Sequence, residues 1–125
     1  MNVQKPNYGH WICGHFADQK TFEVFDSLAT LGGGIDKGLK KIDPAYARVS
    51  GQSYPHLLRL IRDTPDVRAI YNTVKVQSDH VNTCGRHAVF RLIMRELNLM
   101  QYLDAITGQK LGDPDTIVCC MTGLL

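Results

Sequence analysis

The sequence predicts an α+β domain, and three observations lead to that prediction. Two segments rich in β-branched and aromatic residues, 10–16 and 21–27, flank the polar residues 17–20, which is the pattern of a β-hairpin. A third segment, 69–77, has alternating β-branched residues and predicts a third strand. Apolar residues recur every three or four positions over 84–103 and predict a long amphipathic helix. Strands and helices therefore follow one another without regular alternation.

Two shorter helices complete the predicted elements. One opens at Tyr54-Pro55 and is stopped by residues 63–65, and the other runs over 113–121, where an Asp-Pro pair supplies a cap and a first-turn proline. Residues 28–54 carry five of the eleven glycines, so we expect mostly irregular structure there, with a short helical turn near 44–48.

Length and composition indicate one globular domain, residues 1–125. The chain has 44% apolar and 21% charged residues, which excludes an intrinsically disordered or low-complexity protein. Its formal net charge of +2 is too small to make nucleic acid the expected partner, although a pI near 8.4 is compatible with weak binding of polyanions.

Nothing in the sequence predicts a membrane protein or a secreted one. No apolar run reaches the roughly 18 residues that cross a bilayer, and residues 1–16 lack the basic and apolar regions of a secretion signal. The cysteines are Cys13, Cys84, Cys119 and Cys120, and they do not form the pattern of a disulfide framework. We therefore expect a reducing compartment.

Cys84 is the cysteine whose predicted position suits catalysis. It begins the long helix, with Asn82 or Thr83 as the cap, where free backbone N–H groups and the helix dipole favour the thiolate. Gly85 follows it and leaves room for a substrate carbonyl close to the backbone. The competing interpretation is that Cys84 is a small residue of the core.

A histidine and a carboxylate are expected to face one another across the hairpin. If positions whose numbers sum to about 37 pair, His10 and Asp26 lie opposite or nearly opposite. A carboxylate in that place would hold the imidazole in one tautomer and stabilise its cation. Gln77 ends the predicted third strand, and its amide could donate to an oxyanion beside the backbone N–H of Cys84. Taken singly, each of these is equally compatible with an ordinary polar residue.

Four motifs stand in the order Gly9-His10-Trp11, Phe25-Asp26-Ser27, Gln77 and Asn82-Thr83-Cys84-Gly85. Together they resemble the adenain-type cysteine proteases, which include the adenovirus maturation protease, related enzymes of other large DNA viruses, virophages and polinton-like elements, and the cellular SUMO-specific proteases. The intervals match as well, since the aspartate lies 16 positions after the histidine and the cysteine seven positions after the glutamine. The resemblance covers roughly residues 9–103.

The resemblance implies a papain-like α+β fold, in which a small and mostly antiparallel sheet packs against a long helix with the catalytic cysteine at its N-terminus. It implies a thiol endopeptidase that cleaves at small-residue, Gly-type sites and needs no metal or other cofactor. The residues that it implies are a catalytic triad of His10, Asp26 and Cys84, an oxyanion hole of Gln77 and the Cys84 N–H, and substrate contacts at Trp11 and Gly85. Asn72 also resembles a recurring residue of the family.

The same resemblance implies a biological role. We expect a viral maturation protease that cleaves capsid or core precursor proteins, in the virion and in the cytoplasm or nucleus of the infected cell. Only nine residues precede His10, whereas members of the family carry a longer N-terminal helical region over the cleft. We therefore expect weak basal activity that a peptide cofactor, DNA or another polyanion, or self-association increases.

Two other interpretations stay open. A deubiquitinase or a SUMO/ubiquitin-like protease would use the same chemistry on a folded substrate. A non-catalytic zinc-binding or interaction module would instead use soft ligands, although their spacings match no common zinc motif. The candidate ligands are Cys13, His15, His80, Cys84 and His87.

Overall fold

A computed structural model describes residues 10–29, 56–79, 81–108 and 112–123. Within these residues, three strands and four helices form an α+β arrangement. Their order is β1 (Cys13–Phe16), β2 (Thr21–Phe25), α1 (His56–Asp63), β3 (Arg68–Tyr71), α2 (Cys84–Ile93), α3 (Leu99–Thr107) and α4 (Pro114–Thr122). Most of the glycine-rich segment, the helical turn expected near 44–48 and the expected first-turn Pro55 lie outside the described residues.

The sheet has the strand order β1-β2-β3 and mixes two kinds of pairing. β1 and β2 are antiparallel, with Cys13 opposite Phe25, whereas β2 and β3 are parallel, with Val24 opposite Tyr71. In the part of the chain that the structure describes, the sheet is therefore mixed and not mostly antiparallel as expected. The chain passes through α1 between β2 and β3, and a strand reached through such a crossover can return in the parallel direction.

The hairpin register also differs from the expected one. Its pairs sum to 38 rather than about 37, so the same register continued would place Asp26 opposite Ile12 and not opposite His10. His10 and Asp26 lie just beyond the ends of β1 and β2, and neither belongs to the ladder. Any contact between them is therefore made by side chains at the open end of the hairpin.

The third strand is shorter than predicted and ends at Tyr71. The next residue, Asn72, turns its side chain to the end of β2, where its Oδ1 accepts from the Asp26 N–H at 2.9 Å and its Nδ2 donates to the Asp26 carbonyl at 2.6 Å. The Asn72 side-chain amide thus makes the hydrogen bonds that the backbone of the next residue pair would make if the two strands continued. Gln77, expected at the end of the strand, lies instead in the irregular segment that follows.

The long helix predicted over 84–103 is two helices. α2 ends at Ile93, and α3 begins after Asn98, whose side chain accepts from the Gln101 N–H while the Gln101 side chain accepts from the Asn98 N–H. This capping box competes with a continuous helix. Arg91 donates to the carbonyls of Met94 and Leu97 in the intervening turn, which satisfies acceptors that the break leaves exposed.

The core lies between the sheet and the three C-terminal helices. It contains Cys13, Phe25, Val76, Ala88, Tyr102, Leu103, Ile106 and Val118. Arg91 of α2 is fully buried and makes two hydrogen bonds, of 2.7 and 2.9 Å, to the buried carboxylate of Glu23 on β2. This bidentate pair fixes α2 to the sheet. α4 begins as predicted, with the Asp113 side chain accepting from the Thr116 N–H and Pro114 in the first turn. Across the described ranges, no helix combines the length and hydropathy needed to span a bilayer.

Candidate active site

His10 and Asp26 are in direct contact. Nε2 of His10 donates to Oδ1 of Asp26 at 2.6 Å, across a sequence separation of 16 residues. The carboxylate is buried, with its side chain 1% exposed, whereas the imidazole is 20% exposed. Because a carboxylate oxygen can only accept, this bond places a proton on Nε2 and leaves Nδ1 as the nitrogen that can act on a neighbour.

Asp26 is held from two sides. Asn72 bonds both its backbone N–H and its carbonyl, and the Leu28 N–H donates to the same Oδ1 that His10 uses, at 2.9 Å. Asn72 is itself 1% exposed and also donates to the Val74 carbonyl at 3.2 Å. The role of Asn72 is therefore to position the carboxylate through its backbone.

Cys84 lies at the first residue of α2 and next to His10. Its Sγ accepts a hydrogen bond from the Trp11 N–H at 3.5 Å. The peptide that follows His10 thus points its donor at the sulfur, which brings the start of the hairpin and the start of α2 together. A donor directed at sulfur and the free N–H groups of a helix N-terminus both stabilise a thiolate.

The environment of His10 favours its protonated form. The hydrogen bond to Asp26 raises the pKa of His10 above 6.5, burial lowers it by less, and the charge of Asp26 and a hydrogen bond with Cys84 add to the rise. The imidazolium is therefore stabilised by the carboxylate on one side and by the sulfur on the other. A histidine that can take the proton of a neighbouring thiol is the arrangement on which cysteine nucleophiles depend.

Gln77 is buried, and its amide orientation is determined by its partners. Nε2 donates to the Val81 carbonyl at 2.9 Å, and Oε1 accepts from the Ser27 hydroxyl at 2.5 Å. The Ser27 carbonyl also accepts from the N–H groups of Val76 and Gln77. Because the Val81 carbonyl can only accept, the amide cannot flip, and Nε2 keeps a second hydrogen that a substrate oxyanion could accept. Ser27 therefore orients Gln77, a role that its place in the Phe25-Asp26-Ser27 motif did not reveal.

Trp11 and Gly85 lie together at the start of α2. Trp11 is 70% exposed, and its indole Cδ1 would lie 3.5 Å from a Cβ added at Gly85, an ordinary van der Waals distance. Only 4% of Cys84 is exposed. We therefore expect the exposed indole to control access to the sulfur, since it lies over the residue next to it.

A carboxylate that the sequence analysis missed joins this region to α4. Asp115 accepts from the Thr83 hydroxyl at 2.6 Å, from His87 Nε2 at 2.9 Å and from the Ser78 N–H at 2.9 Å. Thr83 is the N-cap residue of α2, but its side chain makes no capping bond to that helix. An aspartate in the first turn of a short helix carries no sequence signal for such a contact, because first-turn acidic residues are common on electrostatic grounds alone.

The described residues contain no group of three or more side chains placed to bind a metal ion. Two of the histidines considered as zinc ligands have carboxylate neighbours instead, since His87 donates to Asp115 and His15 lies 3.7 Å from Glu23. His80 lies outside the described residues. Burial raises the pKa of Cys13 to about 11, which also disfavours it as a thiolate ligand.

Comparison with known proteins found one relative in a virus. A Sputnik virophage protein with the name "Uncharacterized protein V9" is 34% identical over 123 residues, which cover 94% of this chain and 68% of the relative. No protein-family model and no solved structure matches the chain. This chain therefore belongs to the same protein family as the V9 protein of the Sputnik virophage.

Proposed function

We propose that this protein is a cysteine endopeptidase of the adenain type, with Cys84 as nucleophile, His10 as the acid and base, and Asp26 as the residue that orients His10. The observation that carries the proposal is the 2.6 Å bond between His10 and a buried Asp26 at the point where the Trp11 N–H reaches the Cys84 sulfur. Three residues from distant parts of the sequence meet there in the order nucleophile, base and carboxylate.

The first half of the reaction forms an acyl-enzyme. The Cys84 thiolate attacks the scissile carbonyl carbon, and the electrons of the C=O bond move to the oxygen. The backbone N–H of Cys84 and Nε2 of Gln77 donate to that oxyanion. Nδ1 of the His10 imidazolium then protonates the leaving amine, the C–N bond breaks, and a thioester to Cys84 remains.

The second half releases the acyl group. His10, now neutral, takes a proton from water at Nδ1 while the hydroxide attacks the thioester carbon. The C–S bond breaks, and the proton on Nδ1 again faces a thiolate. Asp26 keeps the other ring nitrogen protonated throughout, because its Oδ1 accepts from Nε2.

The substrate is proposed to be an extended peptide with small residues at the cut. Trp11 lies over Gly85 beside a nucleophile that is 4% exposed, so a peptide has to approach through a narrow space, and glycine fits such a space best. The virophage relative supports a viral protein. On the resemblance to the adenain-type proteases, we propose a viral maturation protease for capsid or core precursors, acting in virions and infected cells. A peptide, DNA or self-association is proposed to raise a weak basal activity.

The test is cleavage of quenched fluorescent peptides with Gly-Gly before the scissile bond. Cys84→Ala should lower kcat/KM by about 10⁴-fold or more, whereas Cys120→Ala, a change at an exposed cysteine, should leave it unaltered. Replacing the glycines by valine should abolish cleavage by the wild-type chain. Each reaction is run over a range of protein concentrations, with and without DNA and candidate precursor peptides.

Four outcomes would overturn the proposal. Cleavage of ubiquitin-like conjugates without cleavage of peptides would identify the ubiquitin-like protease instead. No cleavage under any of these conditions would leave a non-catalytic interaction module. Equal cleavage by Cys84→Ala would refute Cys84 as the nucleophile. One zinc ion per chain, with loss of structure on chelation, would favour the zinc-binding module.

A further inference from the structure

We propose that Asp115 on α4 is a positioning residue for the oxyanion hole, because it holds the segment that joins Gln77 to Cys84 at both ends. This inference rests on the proposed function. It assigns to α4, which contributes no residue to the triad, the task of setting the distance between the two oxyanion donors.

The geometry of the contacts carries the proposal. Ser78 follows Gln77 directly, and its N–H donates to Oδ2 of Asp115 at 2.9 Å. Thr83 precedes Cys84 directly, and its hydroxyl donates to Oδ1 at 2.6 Å. The two oxygens of one carboxylate thus connect the neighbours of the two donors, Nε2 of Gln77 and the N–H of Cys84.

Two residues that bind Asp115 lack hydrogen bonds that their own positions would ordinarily favour. Thr83 at the N-cap of α2 directs its hydroxyl to Asp115 instead of capping its own helix. His87 is fully buried and donates Nε2 to the same carboxylate, while its Nδ1 has no hydrogen-bond partner among the described residues. An N-cap residue that does not cap its helix and a buried ring nitrogen without a partner both depart from the usual local preferences. Such departures are expected at functional positions, where another requirement outweighs those preferences.

Asp115 is charged throughout the neutral range. Burial raises its pKa, but the hydrogen bonds from Thr83, His87 and Ser78 together outweigh burial and lower the pKa to about 2. The carboxylate therefore accepts on both oxygens at any pH at which the enzyme would be assayed.

The expected effect on catalysis is large although Asp115 does not touch the reacting atoms. Removing one oxyanion donor costs on the order of 10²–10³-fold in kcat, and a displacement of about 1 Å costs on the order of 10²-fold. Loss of the carboxylate frees both ends of the segment, so the residues next to the Gln77 amide and the Cys84 N–H are no longer joined through one group.

Asp115→Asn is the principal variant. Its Oδ1 can still accept from Thr83 and His87, but an NH₂ group cannot accept from the Ser78 N–H, so one end of the segment is released. We expect kcat for a Gly-Gly peptide to fall about 10²-fold with KM within about threefold. Alkylation of Cys84 by iodoacetamide forms no oxyanion, so its rate should stay within about threefold of the wild-type rate.

Three further variants separate positioning from simple loss of stability. Asp113→Ala removes the N-cap of the same helix at an exposed position, so it should lower the melting temperature by a few degrees and leave kcat unchanged. Thr83→Val removes one hydrogen bond with little change of shape and should lower kcat about tenfold. Thr83→Ser keeps the hydroxyl and should restore most of that loss.

The outcomes separate this inference from the proposed function. A kcat of Asp115→Asn equal to wild type, or equal losses of kcat and alkylation rate, would overturn the positioning role. If the wild-type chain cleaves no peptide, hydrogen exchange decides: the Ser78 amide should exchange at least about tenfold faster in Asp115→Asn than in Asp113→Ala. Equal exchange of the Ser78 amide in the two variants would refute the claim that Asp115 holds the Ser78 end of the segment.

Discussion

Asp26→Asn tests how the candidate base is controlled. The Leu28 N–H donates to Oδ1 of Asp26 at 2.9 Å, so the amide of the variant must keep its oxygen there, because an N–H cannot donate to an NH₂ group. That oxygen still faces Nε2 of His10. Asp26→Asn therefore removes the negative charge of the side chain, while it preserves the shape of that side chain and the tautomer of His10.

The size of the effect follows from the charge. Two unit charges about 4 Å apart attract by about 4 kcal/mol at an effective dielectric constant near 20. His10 is partly exposed and the hydrogen bond to the amide oxygen remains, so we expect about 2–4 kcal/mol of cation stabilisation to be lost. That corresponds to a fall in kcat/KM of roughly 30- to 1,000-fold.

The pKa of His10 should move in a known direction. In the wild-type chain the bond to Asp26 raises it above 6.5, against the effect of burial. Without the charge, burial should dominate and the pKa should fall below 6.5. Because the pKa of His10 is higher in the folded chain than in the unfolded one, protonation of His10 stabilises the fold below pH 6.5. This stabilisation is lost as the pH rises through the pKa of His10 in the folded chain. Asp26→Asn should therefore lose more stability at pH 5.5 than at pH 9.

The measurements are an NMR titration of the His10 ring and urea unfolding at both pH values. Peptide cleavage by the same preparations gives the loss of activity. Asp104→Asn, a change at an exposed position of α3, is the control and should alter none of these. If His10 titrates at the same pH in Asp26→Asn as in wild type, and cleavage is unchanged, the reasoning on this pair is refuted.

Three further predictions concern stability and thiol chemistry. Asn72→Ala removes the hydrogen bonds that Asn72 makes with the buried N–H and carbonyl of Asp26. At about 1–3 kcal/mol each, the free energy of unfolding in urea should fall by roughly 2–6 kcal/mol, and a fall under about 1 kcal/mol would contradict this. Glu23→Gln leaves the buried charge of Arg91 uncompensated and should cost about 3–5 kcal/mol by the same assay, so an unchanged unfolding midpoint would show that the pair is dispensable. Cys13, whose pKa burial raises to about 11, should resist iodoacetamide at pH 7 until urea unfolds the chain; mass spectrometry that finds it modified in the folded chain would refute the assignment.

The sequence was most informative where a local pattern decides the structure. The polar residues between the two β-rich segments marked the hairpin, and the Asp113-Pro114 pair marked the start of α4. The contact of His10 with Asp26 was also expected, although the register that led to the expectation was shifted. The side chains meet because both lie beyond the paired residues, where their reach compensates for the offset.

The features that sequence reasoning missed depend on contacts between distant residues. β3 ends because the side chain of Asn72 makes hydrogen bonds with the end of β2 in place of the backbone. The alternation of apolar residues in the sequence gives no sign of such a side-chain contact. The break between α2 and α3 did have a local signal, the Asn98 and Gln101 capping box, but the apolar spacing continued through it and dominated the prediction. Asp115 could be connected to Ser78 and Thr83 only once α4 was placed against α2.

The central claim is that Cys84 is a nucleophile activated by His10, and covalent capture tests it most directly. The chain is mixed with one equivalent of a Gly-Gly peptide that ends in a vinylogous methyl ester (–CH=CH–CO₂CH₃), and its intact mass and modified residue are determined. The thiolate of an activated cysteine adds to the C=C bond, the neighbouring carbon takes a proton, and a thioether remains. We predict a single adduct on Cys84, absent in Cys84→Ala and formed at least about 10²-fold more slowly in His10→Ala. Equal reaction of His10→Ala and the wild-type chain, or an adduct that forms first on Cys119 or Cys120, would contradict the account.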